Sequence, residues 1–415
     1  MIKVSVIIPV FNGSEYISEC IRGVQRQTLH EIEILCVDDG SSDNSLQLLN
    51  QMQKSDDRIR VFEQKNQGAG SARNYALKKA VGEYVCFLDV DDSFLSDHAL
   101  EELYRNAVSR KAMVCGGQFY IDSGRELTAV SVYGNVGDDT KIGTLLAYKD
   151  YQQDFYFTSY LYSRKMLQEN NIIFPSYRQY EDPPFCVRAL SAAGWICVTD
   201  TPFYCYRAGY KKRIYDGQMA CDQIRGMTDN LRFSRQNGLK RLHRITYYRL
   251  VNSCRRELKE LCRQKSTDLM ILLDEAEKSV YWDWIEEKCR IRERSLRVFC
   301  DGSGSESSGE VWPLLYDGMK QGERVVLYGA GEVGRSYCRQ IRSDGKVLLC
   351  AWVDGKARQV SEVDGVEIVS PECLSSLSFD HVIIAVANMV MALEIMDILS
   401  LSGVAPGKVI WDIGR

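Results

Sequence analysis

Histidine and proline are scarce in this chain: four and eight residues, respectively, among 415. No apolar run approaches the roughly 20 residues of a membrane-spanning helix, which excludes an integral helical membrane protein. The first residues lack the long apolar core and cleavage site of a signal peptide, so a cytoplasmic location is expected. Fifteen cysteines are present, but they are scattered, odd in number and without a C-x-x-C pair. A zinc ribbon and a disulfide framework are therefore excluded, and reduced thiols are expected. There is no excess of positive charge either: 52 Lys and Arg face 56 Asp and Glu, a net charge of −4, so no overall field recruits nucleic acid. What is present is an ordinary globular composition, 45% hydrophobic and 26% charged, with length enough for two or three domains.

The first ~110 residues alternate between the two hydrophobic periods. Val4-Ser5-Val6-Ile7-Ile8 reads as a buried strand, and Asn12-Gly13 as a turn. Ser14 is placed to cap a helix that carries Ile17, Cys20, Ile21 and Val24 on one face. Strands follow at Ile32–Val37, Arg58–Phe62 and Tyr84–Leu88. Helices intervene, with Leu46, Leu49 and Met52 inward on one, then Ser71–Ala80 and Asp97–Arg110. This alternation predicts βαβ units and a mainly parallel sheet covered on both faces. Residues 211–300 read as long helices rich in Arg and Lys, and 301–310 as a Gly/Ser-rich linker. Residues 311–415 return to α/β alternation. The fold class is α/β, with a helical segment and a second, small α/β domain.

In open α/β sheets, ligands bind beyond the carboxyl ends of strands. Asp38-Asp39 and Asp89-Val90-Asp91-Asp92 both fall there. Carboxylates two apart at such a place suit Mg²⁺ or Mn²⁺, which in turn neutralises a departing diphosphate. Either cluster alone also reads as a solvated acidic turn. Their conjunction with other short runs is more specific: Ile8-Pro9-Val10-Phe11-Asn12, Gln27-Thr28, Asp38-Asp39-Gly40-Ser41-Ser42-Asp43, Asn66-Gln67-Gly68, Ala72-Arg73-Asn74 and Gly82-Glu83-Tyr84-Val85. In this order and spacing, residues 3–210 closely resemble the family 2 glycosyltransferases of the GT-A fold.

That resemblance implies an inverting hexosyl- or N-acetylhexosaminyl-transferase that uses a nucleotide diphosphate sugar, usually UDP-linked, and Mn²⁺ or Mg²⁺. It implies Asp39 and Pro9 at the nucleotide base, Arg73 lining the nucleotide pocket, and Asp89 near the ribose and phosphates. Asp91, with Asp89, is implied as metal ligand, and Asp92 as a support of the loop. Tyr180-Glu181-Asp182-Pro183-Pro184-Phe185 marks a helix start, because two prolines suit its first turn and not its interior. Asp182 is expected at or beside the N-cap, where the helix dipole favours the carboxylate. A capping Asp is the plain reading, and the resemblance makes Asp182 the general base. The Pro-Pro pair departs from the usual family pattern. Phe203–Arg207 resembles the family's strand on the acceptor side. The following Gly209-Tyr210-Lys211-Lys212-Arg213 is either a lid on the diphosphate or a solvated loop.

The basic helices, with Trp282 and Trp284, read either as helices packed with their charges in water or as a surface for anionic headgroups, a peripheral contact at the inner face of the membrane. Gly329-Ala330-Gly331-Glu332-Val333-Gly334, with Asp354 about 20 residues on, is a Rossmann-like turn that makes Gly329, Gly331, Gly334 and Asp354 candidates for a bound cofactor. The tail resembles small Rossmann-like domains of bacterial capsule and cell-surface polysaccharide glycosyltransferases. No catalytic pair is evident in it, with His381 its one histidine, so partner contacts or a homo-oligomer are expected. The whole reads as a glycosyltransferase acting on a glycan or lipid-linked glycan. The alternatives are a nucleotidyltransferase, which wants a basic residue that Phe11–Glu15 lacks, and a nucleotide-sensing scaffold.

Overall fold

The computed structural model describes residues 1–130, 143–208, 217–253, 267–286, 294–296, 319–355, 357, 362–386 and 389–411. The expected linker at 301–310 and the Gly209–Arg213 loop lie outside them. Two compact units are present, Met1–Asn230 and Leu231–Arg415.

In the first unit the chain runs β1 (Val4–Val10), α1 (Ile17–Gln25), β2 (Ile32–Asp38), α2 (Ser45–Gln53), β3 (Ile59–Glu63), α3 (Ala69–Lys79), β4 (Tyr84–Phe87), β5 (Ser93–Phe94) and α4 (Ala99–Ser109). It continues with β6 (Val114–Asp122), β7 (Leu127–Val130), β8 (Thr144–Ala147), α5 (Tyr148–Tyr151), β9 (Tyr160–Ser163), α6 (Arg164–Glu169), α7 (Asp182–Ala193) and β10 (Trp195–Arg207). Strands β1 and β2 are buried along their whole length, as continuous apolar runs covered on both faces must be.

The sheet has ten strands in the order β3-β2-β1-β4-β9-β6-β10-β5, with β7 beside β6 and β8 beside β10. It is mixed, not mainly parallel. The β3-β2-β1-β4 half is parallel, as the βαβ alternation predicts. Beyond α4 that alternation stops: β6 turns back into β7 through Gly124 at φ 74°, and β9 runs antiparallel to both β4 and β6. This second half, in which β6 and β10 pair in parallel and the other pairings are antiparallel, extends the sheet beyond β4.

Ser14 does not cap α1. The helix starts at Ile17, and the Ser14 N–H donates to Asp43 Oδ2 at 3.1 Å. The β1–α1 loop is instead zipped to the β2–α2 loop: Asn12 N donates to Ser41 Oγ and Gly13 N to Ser45 Oγ, both at 2.9 Å, and Ser42 N donates to Asn12 Oδ1 at 2.8 Å. A helix cap is given up for two locked loops. On α2, Leu49 is the buried anchor, while Leu46 and Met52 are half-buried.

Helix α8 (Gly217–Gln236) crosses the division between the units. The second unit continues with α9 (Lys240–Ser253), α10 (Thr267–Ser279) and α11 (Trp282–Glu286). Its sheet holds β11 (Arg324–Tyr328), β12 (Leu348–Val353), β13 (Glu362–Val363), β14 (Val366–Val369), β15 (His381–Ile384) and β16 (Val409–Ile410), with α12 (Glu332–Asp344) and α13 (Met389–Leu401). Strand order is β13-β14-β12-β11-β15-β16, all parallel except β13. The basic helices are not a separate segment: Arg241 on α9 pairs with Asp397 on α13 at 3.5 Å, and the Tyr248 and Trp411 rings meet edge to face at 5.1 Å. Trp282 packs edge-on against Tyr247, and Trp284 against His243 and Tyr281, so both rings serve helix packing.

His243 is fully buried, with Nδ1 2.8 Å from Ser234 Oγ and Nε2 accepting the Tyr281 N–H at 2.8 Å. An acceptor nitrogen cannot also carry a proton, and burial, followed by Arg235 and Arg244, pulls its pKa down to about 4. The unfolded chain, with an ordinary histidine, binds this proton first. Stability is therefore complete above about pH 6.5 and falls towards pH 4, by on the order of 3 kcal/mol. Tryptophan-monitored urea midpoints should drop between pH 7 and 4.5, and much less so in His243→Gln.

Candidate active site

The carboxyl ends of β1, β2 and β4 lie side by side, with Val10 in register with Asp38 and Ile7 with Phe87. Pro9 is buried on β1 beside Val37. Asp39 follows β2, and its carboxylate accepts three hydrogen bonds: from Gln64 Nε2 at 2.7 Å and from the Gln67 and Gly68 N–H groups at 2.8 Å. Gly68, at φ 91°, is the residue before α3, so Asp39 fixes the start of the helix that carries Arg73. Its neighbour Asp38 accepts from Ser41 N at 3.1 Å through Oδ2, while Oδ1 is buried without a partner.

Arg73 is buried, and its guanidinium lies over the rings of Phe157 and Phe174, at 4.8 and 5.3 Å. Nη2 donates to Asp89 Oδ1 at 2.7 Å and Nη1 to Glu181 Oε1 at 2.9 Å. Burial works against the charged guanidinium, but Asp89 and Glu181 hold it firmly protonated. One side chain thus joins the loop after β4 to the start of α7, 92 residues further along (181 − 89). Glu181 falls within the Tyr180–Phe185 run that the sequence singles out, but that run gives it no role of its own.

Asp182 is the first residue of α7, with Glu181 at the N-cap and the prolines in the first turn. Burial, then the neighbouring Glu181 carboxylate, push its carboxyl up to about 7, against the lowering pull of Arg73. The helix start alone would have kept it low; desolvation wins. A carboxyl so poised is a far better proton acceptor at neutral pH than an ordinary one.

Asp89, Asp91 and Asp92 follow β4. Burial, then repulsion from Asp89, push the Asp92 carboxyl up to about 8, although Tyr204 Oη donates to it at 2.6 Å and Arg207 N at 2.9 Å. Asp92 therefore ties this loop to β10, and Tyr204 is a support that residue patterns alone did not indicate. Asp91 is half-buried beside them. Among the described residues no three His, Cys, Asp or Glu side chains converge as a complete metal site. The oxygen donors after β4, mutually repelling, nonetheless fit a hard divalent cation that takes one or two carboxylates and completes its shell from phosphate and water.

The tail's candidates sit in the other unit. The Asp354 Oδ2 accepts from Ala330 N at 2.7 Å, and the Gly329 carbonyl accepts from Trp352 Nε1 at 2.8 Å. Gly329, at φ 112°, abuts the Ala385 carbonyl, and a Cβ on Gly334 would collide with the Gly329 carbonyl oxygen. A Cβ on Gly331 would meet nothing within 4 Å. Helix–strand contact thus requires two of the three glycines. His381 does have an acid partner, Glu323 at 3.2 Å, but both lie at the amino ends of the strands, away from this loop.

Residues 5–169 match the family model "Glycosyl transferase family 2", and residues 321–410 match "C2185-like, N-terminal". The chain is 33% identical over 209 residues to the uncharacterized glycosyltransferase EpsJ of Bacillus subtilis, covering 49% of this chain and 60% of EpsJ. It is 32% identical over 212 residues to the poly(ribitol-phosphate) beta-glucosyltransferase of Bacillus spizizenii, covering 49% of this chain and 32% of that protein. The crystal structure of S. aureus TarS 1–349 in complex with UDP-GlcNAc shares the fold at TM-score 0.57 and 21% identity, over 68% of this chain and 83% of that one. The fold is GT-A, with a second sheet in the C-terminal part. The match to glycosyltransferase family 2 lies in residues 5–169, and the chain spans less than two thirds of the length of these two curated relatives.

Replacing Arg73 by Leu leaves two or three carboxylates facing one another with no cation. Thermal unfolding should show a loss of about 3–5 kcal/mol, the usual effect of breaking a buried pair. In the tail, Gly334→Ala should destabilise the second unit strongly, while Gly331→Ala, at the helix N-cap, should lower its unfolding free energy in urea by no more than about 1 kcal/mol.

Proposed function

We propose that this chain is a metal-dependent, inverting glycosyltransferase. It moves a hexose or N-acetylhexosamine from a UDP-linked sugar to a hydroxyl of a glycan or lipid-linked glycan in surface polysaccharide assembly. The observation that carries this reading is the meeting of Asp89 and the Glu181-Asp182 pair at one buried guanidinium. It sets a donor-side carboxylate and a raised-pKa carboxyl on one site.

In this reading Asp91, with the oxygen of Asp89 not bound to Arg73, would hold Mg²⁺ or Mn²⁺, whose positive charge offsets that of the leaving diphosphate. Asp39 and Pro9 shape the nucleotide end. The Asp182 carboxylate takes the proton of the acceptor hydroxyl as its oxygen attacks the anomeric carbon. The bond to the diphosphate oxygen breaks on the opposite face, so the anomeric configuration inverts. The sugar class leans on the names of two similar proteins, a glucosyltransferase and a structure holding UDP-GlcNAc. A nucleotidyltransferase is disfavoured, because the first strand–helix loop has no cation and its amides are bound to the neighbouring loop.

No helix among the described residues is long and apolar enough to cross a membrane. We place the enzyme in the cytoplasm, against the membrane face where a lipid-linked acceptor would lie. We read the tail as a module for partner contact or self-association, with nucleotide binding at Gly329–Gly334 the competing role.

Asp91→Asn should lose most turnover and metal-dependent UDP binding while the fold survives, and excess chelator should do the same to the parent. Asp182→Asn should keep UDP-sugar affinity by calorimetry and lose at least about 10²-fold in transfer. The rate of the parent should fall as pH drops below about 7, where Asp182 takes up its proton.

A further inference from the structure

Glycosyl transfer as set out above leaves Glu181 without a task, yet the backbone around it is strained to put it in place. Tyr180, just before it, is buried at φ 65°, and a Cβ on Gly226 would lie 2.7 Å from the Tyr180 carbonyl oxygen. Tyr156, at φ 63°, precedes Phe157, whose ring lies under Arg73. Left-handed backbone at non-glycine residues is strained and persists only where the surroundings enforce it. Each immediately precedes a residue that touches the same guanidinium.

That guanidinium has two Nη groups and three carboxylates within its field: Asp89, Glu181 and Asp182. The ion pairs go to Asp89 and Glu181, at 2.7 and 2.9 Å. Among the described residues no ion pair includes Asp182. We propose that Glu181 is a positioning residue that holds Arg73 in line with Asp89 and away from Asp182, leaving the Asp182 carboxylate to the acceptor hydroxyl. This rests on the reading of Asp182 as the base.

A carboxylate paired with Arg73 would be a weak proton acceptor, because a guanidinium at hydrogen-bond distance favours the ionised form. The groups that face Asp182 are Glu181 and Cys186 on its own helix, Arg73 from α3, Asp89 after β4 and Tyr162 from β9. Arg73 is the one cation among them. The Arg73 Nε–H has no partner among the described residues even with Glu181 in place; without Glu181, Nη1 loses its partner as well, and Asp182 is the neighbouring carboxylate.

Two variants of the full chain separate position from charge. Glu181→Gln removes the charge; Glu181→Asp keeps it but falls one methylene short of Arg73. The Asp182 carboxyl is followed by ¹³C NMR titration in protein labelled at Asp Cγ, its signal assigned by loss in Asp182→Asn. The midpoint should fall by about one pH unit in both variants, and the acid limb of UDP-sugar hydrolysis should move with it. A midpoint in Glu181→Asp equal to that of the parent overturns the proposal, since charge alone would then account for Glu181. So does an unchanged or raised midpoint in Glu181→Gln. If Glu181→Gln does not fold, the Asp variant decides by itself. A parent that hydrolyses no nucleotide sugar counts against the functional reading and leaves the titration result standing.

Discussion

The buried guanidinium of Arg73 is the constraint on which the site is built. A cation with almost no solvent must have its charge met inside the protein, and two flat aromatic rings leave only its edges for partners. Those edges fork towards Asp89 and Glu181. Because one comes from the end of a parallel strand and the other from the start of a distant helix, satisfying Arg73 forces the two halves of the sheet into one site. Asp39 belongs to the same chain of constraint. It holds the amides before α3, and α3 holds Arg73.

Desolvation then sets the chemistry. The ends of β1, β2 and β4 gather carboxylates where their repulsion has little water to screen it. Asp182 and Asp92 respond by holding protons more tightly, for the same reasons of burial and neighbouring charge, but to different ends. Asp92 is anchored by Tyr204 and the Arg207 amide, and so is part of the frame. Asp182 has no ion pair among the described residues and stands at a helix start, where the proposed reading has its carboxylate take a proton and hand it on.

Much of this was legible in the residues. The continuous apolar runs of β1 and β2, the turn after each, and the prolines at 183 and 184 located the strand ends and the α7 start within a residue or two. The acidic clusters followed from their places after strands. What the sequence could not show was long-range pairing. Ser14 has every local mark of a cap, yet its amide answers Asp43 on another loop. The mixed sheet follows from where β9 inserts, a choice settled by tertiary contact and not by periodicity. That Arg73 pairs with residues 89 and 181 could not be read from the sequence, because the partners lie far along the chain. Trp282 and Trp284, for which the sequence leaves helix packing and a headgroup surface both open, are packed on His243, Tyr247 and Tyr281.

In the proposed reading, a guanidinium that joins the loop after β4 to the start of α7 sets the donor beside the base for a single displacement, in which acceptor oxygen enters as diphosphate leaves. The stereochemistry of the product tests that claim most directly. An α-linked UDP-sugar is supplied with acceptor, or with water where no acceptor is known, and the anomeric configuration of the first-formed product is read by ¹H NMR before mutarotation. The account predicts the β-anomer. An α-anomer would mean two displacements or a front-face path, and would remove Asp182 from the role that the site is built around.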